Sequence, residues 1–259
     1  MLSSWLLSFK HHWSAQMKKP LEFFMGLFSL ILNNSFFLYG IYLLAILSID
    51  DNPLAAKEYL VSTGMVLVSW GALNVWAGGL YQLGTLIETG ELEAYLAKPR
   101  SPLFLAAISK SNLMSLGEVF QGVLTMIICS ILYDPFLACK MMASSVILIF
   151  AFASTIIMIG TISFFSTRGS QLSYVILNVL LSMSLFPLGR ALTGREKWIL
   201  YLTPLLITAT LPRSTVLEGG ALTFLAFIAA TAAFFFVVIC FFNWGLRRYK
   251  SQNYIFLNE

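Results

Sequence analysis

The chain has 259 residues, of which 58% are hydrophobic and only 11% charged, and its mean hydropathy is +0.82. Such a composition cannot cover a water-soluble globule, which excludes a soluble catalytic domain and makes a bilayer the natural solvent. The net charge of +4 and the pI near 9.0 do not signal nucleic acid, because the basic residues flank apolar runs and form no long stripe interleaved with aromatics.

In chain order, residues 1–20 read as an amphipathic helix. Leu2, Trp5, Leu6, Phe9, Trp13 and Met17 recur at three- and four-residue steps, while Ser4, Ser8, Lys10, His11, Ser14 and Lys18 fall elsewhere. It is expected to lie in the membrane interface, in contact with lipid. Lys10, His11 and His12 interrupt the first apolar residues and no small-residue cleavage site follows, so no cleavable signal peptide is expected.

A span needs about 20 mostly apolar residues, and six segments meet or approach that length. The first covers 21–49 and ends at the acidic turn Asp50-Asp51-Asn52-Pro53, expected to be extracytoplasmic. The second, 60–87, leads to the polar stretch 88–111 with Lys98, Arg100 and Lys110, expected in the cytoplasm. The third, 112–132, and the fourth, 142–165, flank Tyr133-Asp134-Pro135; a turn at 166–171 containing Arg168 leads to the fifth, 172–188. The sixth is 221–243, and the tail 244–259, with Arg247-Arg248-Tyr249-Lys250, stops transfer on the cytoplasmic side.

Residues 189–220 are irregular. Arg190, Arg195, Glu196 and Lys197 precede an apolar run, 198–211, interrupted by Pro204 and closed by Pro212-Arg213. That run, about 14 residues or roughly 21 Å of helix, is shorter than the hydrocarbon thickness, and extending it backward would draw in charges. A re-entrant hairpin on the outer side avoids that cost, and its prolines suit broken helix buried against protein.

With both termini inside, the cytoplasmic segments hold Lys10, Lys18, Lys19, Lys98, Arg100, Lys110, Arg168, Arg247, Arg248 and Lys250. The outer segments hold Lys57, Lys140, Arg190, Arg195, Lys197 and Arg213, most of them in the re-entrant region, where the charge rule for short loops is least reliable.

Several chemistries have no residues to carry them. The string G-x-x-x-x-G-K-[ST] is absent, so the chain is not expected to hydrolyse ATP by itself. The only histidines, His11 and His12, are adjacent and point to different parts of a helix surface, and Cys129, Cys139 and Cys240 lack metal-ligand spacing; no metal or cofactor is expected and the cysteines read as packing residues. Glu118 reads as an interfacial carboxylate reaching toward headgroups, or else as a functional one. Asn33, Asn34, Asn74, Gln82, Gln121 and Asn178 read first as hydrogen-bonding partners between helices, and alternatively as the wall of a substrate path.

Three stretches carry a family resemblance. Residues 88–103, ETGELEAYLAKPRSPL, hold a glycine, an acidic pair, an aromatic, a leucine, a basic residue and two prolines. Phe186-Pro187-Leu188 followed by WILYLTP at 198–204 and Leu211-Pro212 form the second, and Gly245-Leu246-Arg247-Arg248-Tyr249-Lys250-Ser251 the third. In this order they resemble the permease subunits of type-2 ABC exporters, the compact six-span family.

The resemblance implies an all-α polytopic permease with both termini in the cytoplasm of a bacterial inner membrane. It also implies a separate ABC ATPase subunit as partner, and a second permease, the same or related, with which the substrate path is formed. Glu91, Leu92, Tyr95, Leu96, Lys98, Pro99 and Arg100 would form the ATPase-coupling element. The residues suit that role: a short helix over 91–97 begins with acidic groups at its positive end, places Leu92, Tyr95 and Leu96 on one face and is stopped by Pro99. The same face could instead pack beneath the bundle. Pro187, Trp198, Pro204 and Pro212 would belong to an outer re-entrant gate. A secondary transporter would need ion-coordinating groups inside the membrane and often shows repeated halves. A non-transporting scaffold is the other alternative.

Overall fold

A computed structural model of the chain describes residues 2–48, 53–166, 168–185 and 203–249. The described α-helices are α1 (Leu2–Gln16), α2 (Pro20–Ser48), α3 (Pro53–Ala77), α4 (Leu83–Glu88), α5 (Glu93–Leu96), α6 (Pro102–Ile108), α7 (Leu116–Leu132), α8 (Leu137–Thr161), α9 (Gly169–Leu185), α10 (Leu211–Leu217) and α11 (Ala221–Arg248). No strand occurs among the described residues. That is the outcome lipid demands, because a helix satisfies its backbone polar groups within itself.

Among the described residues, five helical segments are long and apolar enough to cross a membrane: Pro20–Gly40, Ala56–Glu88, Leu113–Leu132, Leu137–Phe164 and Ala221–Arg248. α9, apolar and described over 17 residues, is shorter. At about 1.5 Å per residue it covers roughly 25 Å.

Helix starts and ends depart from the hydropathy reading where local chemistry admits a polar residue. α8 begins at Leu137 rather than near 142, because Lys140 lies in its first turn and reaches Asp134 at 3.3 Å. α11 runs on to Arg248, so Arg247 and Arg248 are helical, and the Arg248 guanidinium lies 4.6 Å from the Trp244 ring. The second membrane helix starts at Pro53 and is broken by the 3-10 turn Gly78–Gln82 before α4.

The core sits where α3 packs against α7 and α8, and α8 against α11. Small residues permit the close approach. A Cβ added at Gly122 would stand 2.7 Å from the Val68 amide nitrogen and 2.9 Å from the Gly64 carbonyl; one at Gly71 would stand 2.8 Å from the Ser115 carbonyl. Between membrane helices such contact is a main source of association, since burying Leu against Leu gains little over burying it in lipid.

α1 does not stand apart as a free surface helix. Phe9 stacks on Trp76 with ring centroids 5.0 Å apart, and Ser8 Oγ donates to the Ile108 carbonyl at 2.7 Å. The polar residues within spans act partly as expected. Gln121 Nε2 donates to Ser35 Oγ across α7 and α2 at 3.1 Å, whereas Asn74 and Asn178 donate back to their own helices, at Trp70 and Tyr174. Glu118, in the first turn of α7, is half-buried, and its Oε2 is buried without a hydrogen-bond partner among the described residues. Of the cysteines only Cys129 is buried; Cys139 and Cys240 are exposed on the bundle surface.

Candidate coupling end and membrane path

One end of the bundle carries Lys10, Lys18, Lys19, Lys98, Arg100, Lys110, Arg168, Arg247 and Arg248, and the other Lys57, Lys140 and Arg213. At the basic end the connection between α3 and α7 folds back on itself. Gly79 donates its N–H to the Lys110 carbonyl at 3.1 Å, and Asn112 donates to the Asn74 carbonyl at 3.0 Å. A Cβ at Gly79 would overlap the Ala106 carbonyl, so only glycine lets α6 lie this close. Lys110 also bonds Gln82.

The candidate coupling segment hangs from this scaffold. After α4, Gly90 adopts φ +79°, which only glycine takes without strain, and the chain reverses so that Leu92 donates to the Leu86 carbonyl at 3.0 Å. The helix expected over 91–97 is shorter, Glu93–Leu96, because residues 91–92 complete that reversal. Pro99 follows two residues beyond its C-cap, as the restriction on the residue before proline requires.

The expected apolar face divides. Leu92 is fully buried in the main core and Tyr95 packs against that core half-buried, so Leu92 is not presented to a partner. The reason is the Gly90 turn, which aims residue 92 inward. Leu96 is 41% exposed, and Glu91, Lys98, Pro99 and Arg100 are exposed beside it. Lys98 Nζ lies 5.4 Å from the Tyr95 ring centre. The surface offered outward is thus one leucine with a proline, two cations and a carboxylate.

The tail of α11 closes the same end. Tyr249 stacks edge-on against Phe164 at 5.5 Å, and its hydroxyl donates to the Ile87 carbonyl at 3.4 Å. Burial, and then the nearby Glu93 carboxylate, raise the phenol above its usual pKa, so it stays a neutral donor. Hydropathy alone gave no reason to single out Tyr249, Glu88 or Tyr81; Glu88 and Tyr249 fall inside the resembling stretches and Tyr81 inside the helix break.

Above this end, a cavity of about 300 Å³ lies between α4, α8 and α9, lined among others by Tyr81, Gln82, Thr85, Ser173 and Tyr174. Trp70, Tyr81 and Tyr174 form an aromatic row, each successive pair edge-on at 6.1 Å. Gln171 is exposed and Asn178 half-buried on the same helix as Tyr174.

At the opposite end, residues 203–217 form one helical limb buried against α8, α9 and α11. Pro204 heads it, its carbonyl accepting the Ile207 and Thr208 amides at 3.0 Å. Pro212 does not close it. A π-helical turn, Leu206–Thr210, absorbs the missing proline amide, and α10 continues through Pro212 to Leu217, where Gly219 at φ +68° ends it. Ser184 Oγ bonds Thr208 Oγ1 at 3.1 Å and Ser144 Oγ bonds Thr215 Oγ1 at 2.9 Å, pinning the limb to α9 and α8. Arg213 is buried in it rather than exposed in a loop. Pro187 and Trp198 lie outside the described residues.

A family model described as an ABC-2 family transporter protein matches residues 28–253. The chain belongs to the ABC-2 transporter family. It is a multi-pass integral membrane protein and a permease of the ABC transporter class. The ABC-2 match takes in the coupling candidates at 91–100, the limb at 203–217 and Tyr249. No curated protein and no solved structure is matched by the chain.

Proposed function

We propose that this ABC-2 permease is the membrane-spanning subunit of an ATP-driven exporter that docks a separate ATPase subunit on residues 91–100. The observation that carries the reading is the two-sided build of that segment. Leu92 is locked into the core while Glu91, Leu96, Lys98, Pro99 and Arg100 stand exposed at the basic end. An element that receives force from a partner needs both a fixed root and an exposed contact surface. The bias of Lys and Arg to that end supports a cytoplasmic placement for it, and with it cytoplasmic termini, in a bacterial inner membrane.

A second permease, the same or related, completes the substrate path. The support is the surface of α9: Gln171 and Tyr174 are exposed and Asn178 is half-buried on an apolar helix, and polar groups facing lipid there would be costly. The limb at 203–217 serves as the outer gate, and the expected re-entrant path through Pro187 and Trp198 remains part of this proposal. The interfacial α1, carrying Trp13 at its surface, rests against lipid.

The test is co-purification with the ATPase subunit in mild detergent. Leu96→Asp together with Arg100→Glu should leave the permease folded and inserted and strip the ATPase from it. Retention of the ATPase by that variant contradicts the docking role of 91–100.

A further inference from the structure

α4 leads directly into the coupling segment, and its last residue is tied to another membrane helix. Glu88 Oε2 accepts the backbone N–H of Ser170 at 3.1 Å, in the first turn of α9 and 82 positions along the chain. The first amides of a helix have no partner within it, and the positive end of its dipole favours a carboxylate. The backbones around this bond are as close as they can be. A Cβ added at Gly84 would stand 2.9 Å from Ser163 Oγ, 3.3 Å from Ser170 Cα and 3.4 Å from Ser173 Oγ, and one at Gly169 would overlap Ser163. Ser173 Oγ also donates to the Ile159 carbonyl at 2.9 Å. With no long side chain between them to rearrange, displacement of α4 must displace the start of α9.

We infer that Glu88 is a positioning residue that clamps the N-terminus of α9 to α4, so that the two move as one body when the coupling segment is pushed. The clamp rests on the coupling reading above and adds the route by which a push on residues 91–100 reaches the polar face of α9. Leu92 carries the push into α4 through its bond to Leu86. Glu88 and the glycine contacts carry it on to α9.

The experiment uses the permease–ATPase complex in proteoliposomes, with exposed Cys139 and Cys240 replaced by serine and Asn178→Cys as reporter. Its reaction rate with a charged maleimide is compared between the nucleotide-free and ATP–vanadate states. In this parent the rate should change about fivefold or more, the lower end of ordinary coupling between sites. Glu88→Ala should keep the ATPase bound and hydrolysing ATP while the change in labelling disappears. Glu88→Gln, whose amide oxygen can still accept the Ser170 amide, should restore it, which a purely structural loss of charge does not predict. A disulfide between Gly84→Cys and Ser173→Cys should leave the change intact, because the joined parts already travel together, and this pair decides the matter should Glu88→Ala fail to insert.

The clamp is overturned by a full labelling change in Glu88→Ala, by no change in the parent, or by a disulfide that abolishes the change until it is reduced. Should the ATPase not bind the parent at all, the coupling reading itself fails, which is a different and visible result.

Discussion

The hydroxyl of Tyr249 donates to the carbonyl of Ile87 at 3.4 Å, joining the end of the last membrane helix to the last turn of α4. Two distant parts of the chain therefore meet at the root of the coupling segment: α11 through Tyr249 and α9 through Glu88.

The long hydrogen bond is the weaker half of the Tyr249 contact, and its packing on Phe164 the stronger. Tyr249→Phe should cost at most about 1 kcal/mol, whereas Tyr249→Ala, which empties an aromatic site, should cost about 3 kcal/mol. Thermal unfolding in detergent distinguishes the two. The phenol's pKa is raised in the folded state, so its contribution is fully present below the unfolded value and is lost as pH rises through the folded one. Tyr249 should accordingly loosen only in strongly alkaline solution, and Tyr249→Phe should remove that alkaline sensitivity.

Leu92 and Leu96 should separate anchoring from docking. Leu92→Asp places a charge in the main core and should reduce folded, inserted protein, at a cost of several kcal/mol. Leu96→Asp should fold normally. Size-exclusion profiles of the permease alone check the first, and profiles of the complex check the second.

The α3–α7 seam should tolerate no added bulk. Gly122→Val drives a side chain into the Val68 backbone and should cost about 1 to 3 kcal/mol or more, seen as a lowered melting temperature. Gly40 has nothing within 4 Å of an added Cβ, so Gly40→Ala should leave melting unchanged.

The limb at 203–217 should be held by its hydroxyls. A double-mutant cycle on Ser144→Ala and Thr215→Val should give a coupling of about 0.6 kcal/mol, the usual worth of a hydrogen bond between membrane helices. As part of the proposed gate, Leu211→Cys should become more reactive toward an impermeant thiol reagent in one nucleotide state than in another. Equal reactivity in all states contradicts the gating role.

The membrane helices were legible because hydropathy over about 20 residues reports the bilayer itself. Their ends were less so. Lys140 argues against a helix by its charge and is admitted by Asp134, a partner that hydropathy does not weigh. Leu92 and Leu96 are equivalent on a helical wheel, and only the Gly90 turn, which sets the direction of the next residues, assigns one to the core and the other to the surface. Pro212 reads as a stop because proline lacks an amide, yet the π-helical turn before it removes the conflict. Glu88 and Ser170, like Gly122 and Val68, meet through tertiary packing that no local periodicity encodes.

The central claim is that a motor on another polypeptide drives this permease through residues 91–100. The most direct measurement is the composition and ATPase activity of the complex that purifies with the affinity-tagged chain in mild detergent. The account predicts a stoichiometric subunit carrying a phosphate-cradling nucleotide motif, whose hydrolysis purifies with the parent chain and is lost with Leu96→Asp and Arg100→Glu. A permease that moves cargo in proteoliposomes without any such subunit would contradict it.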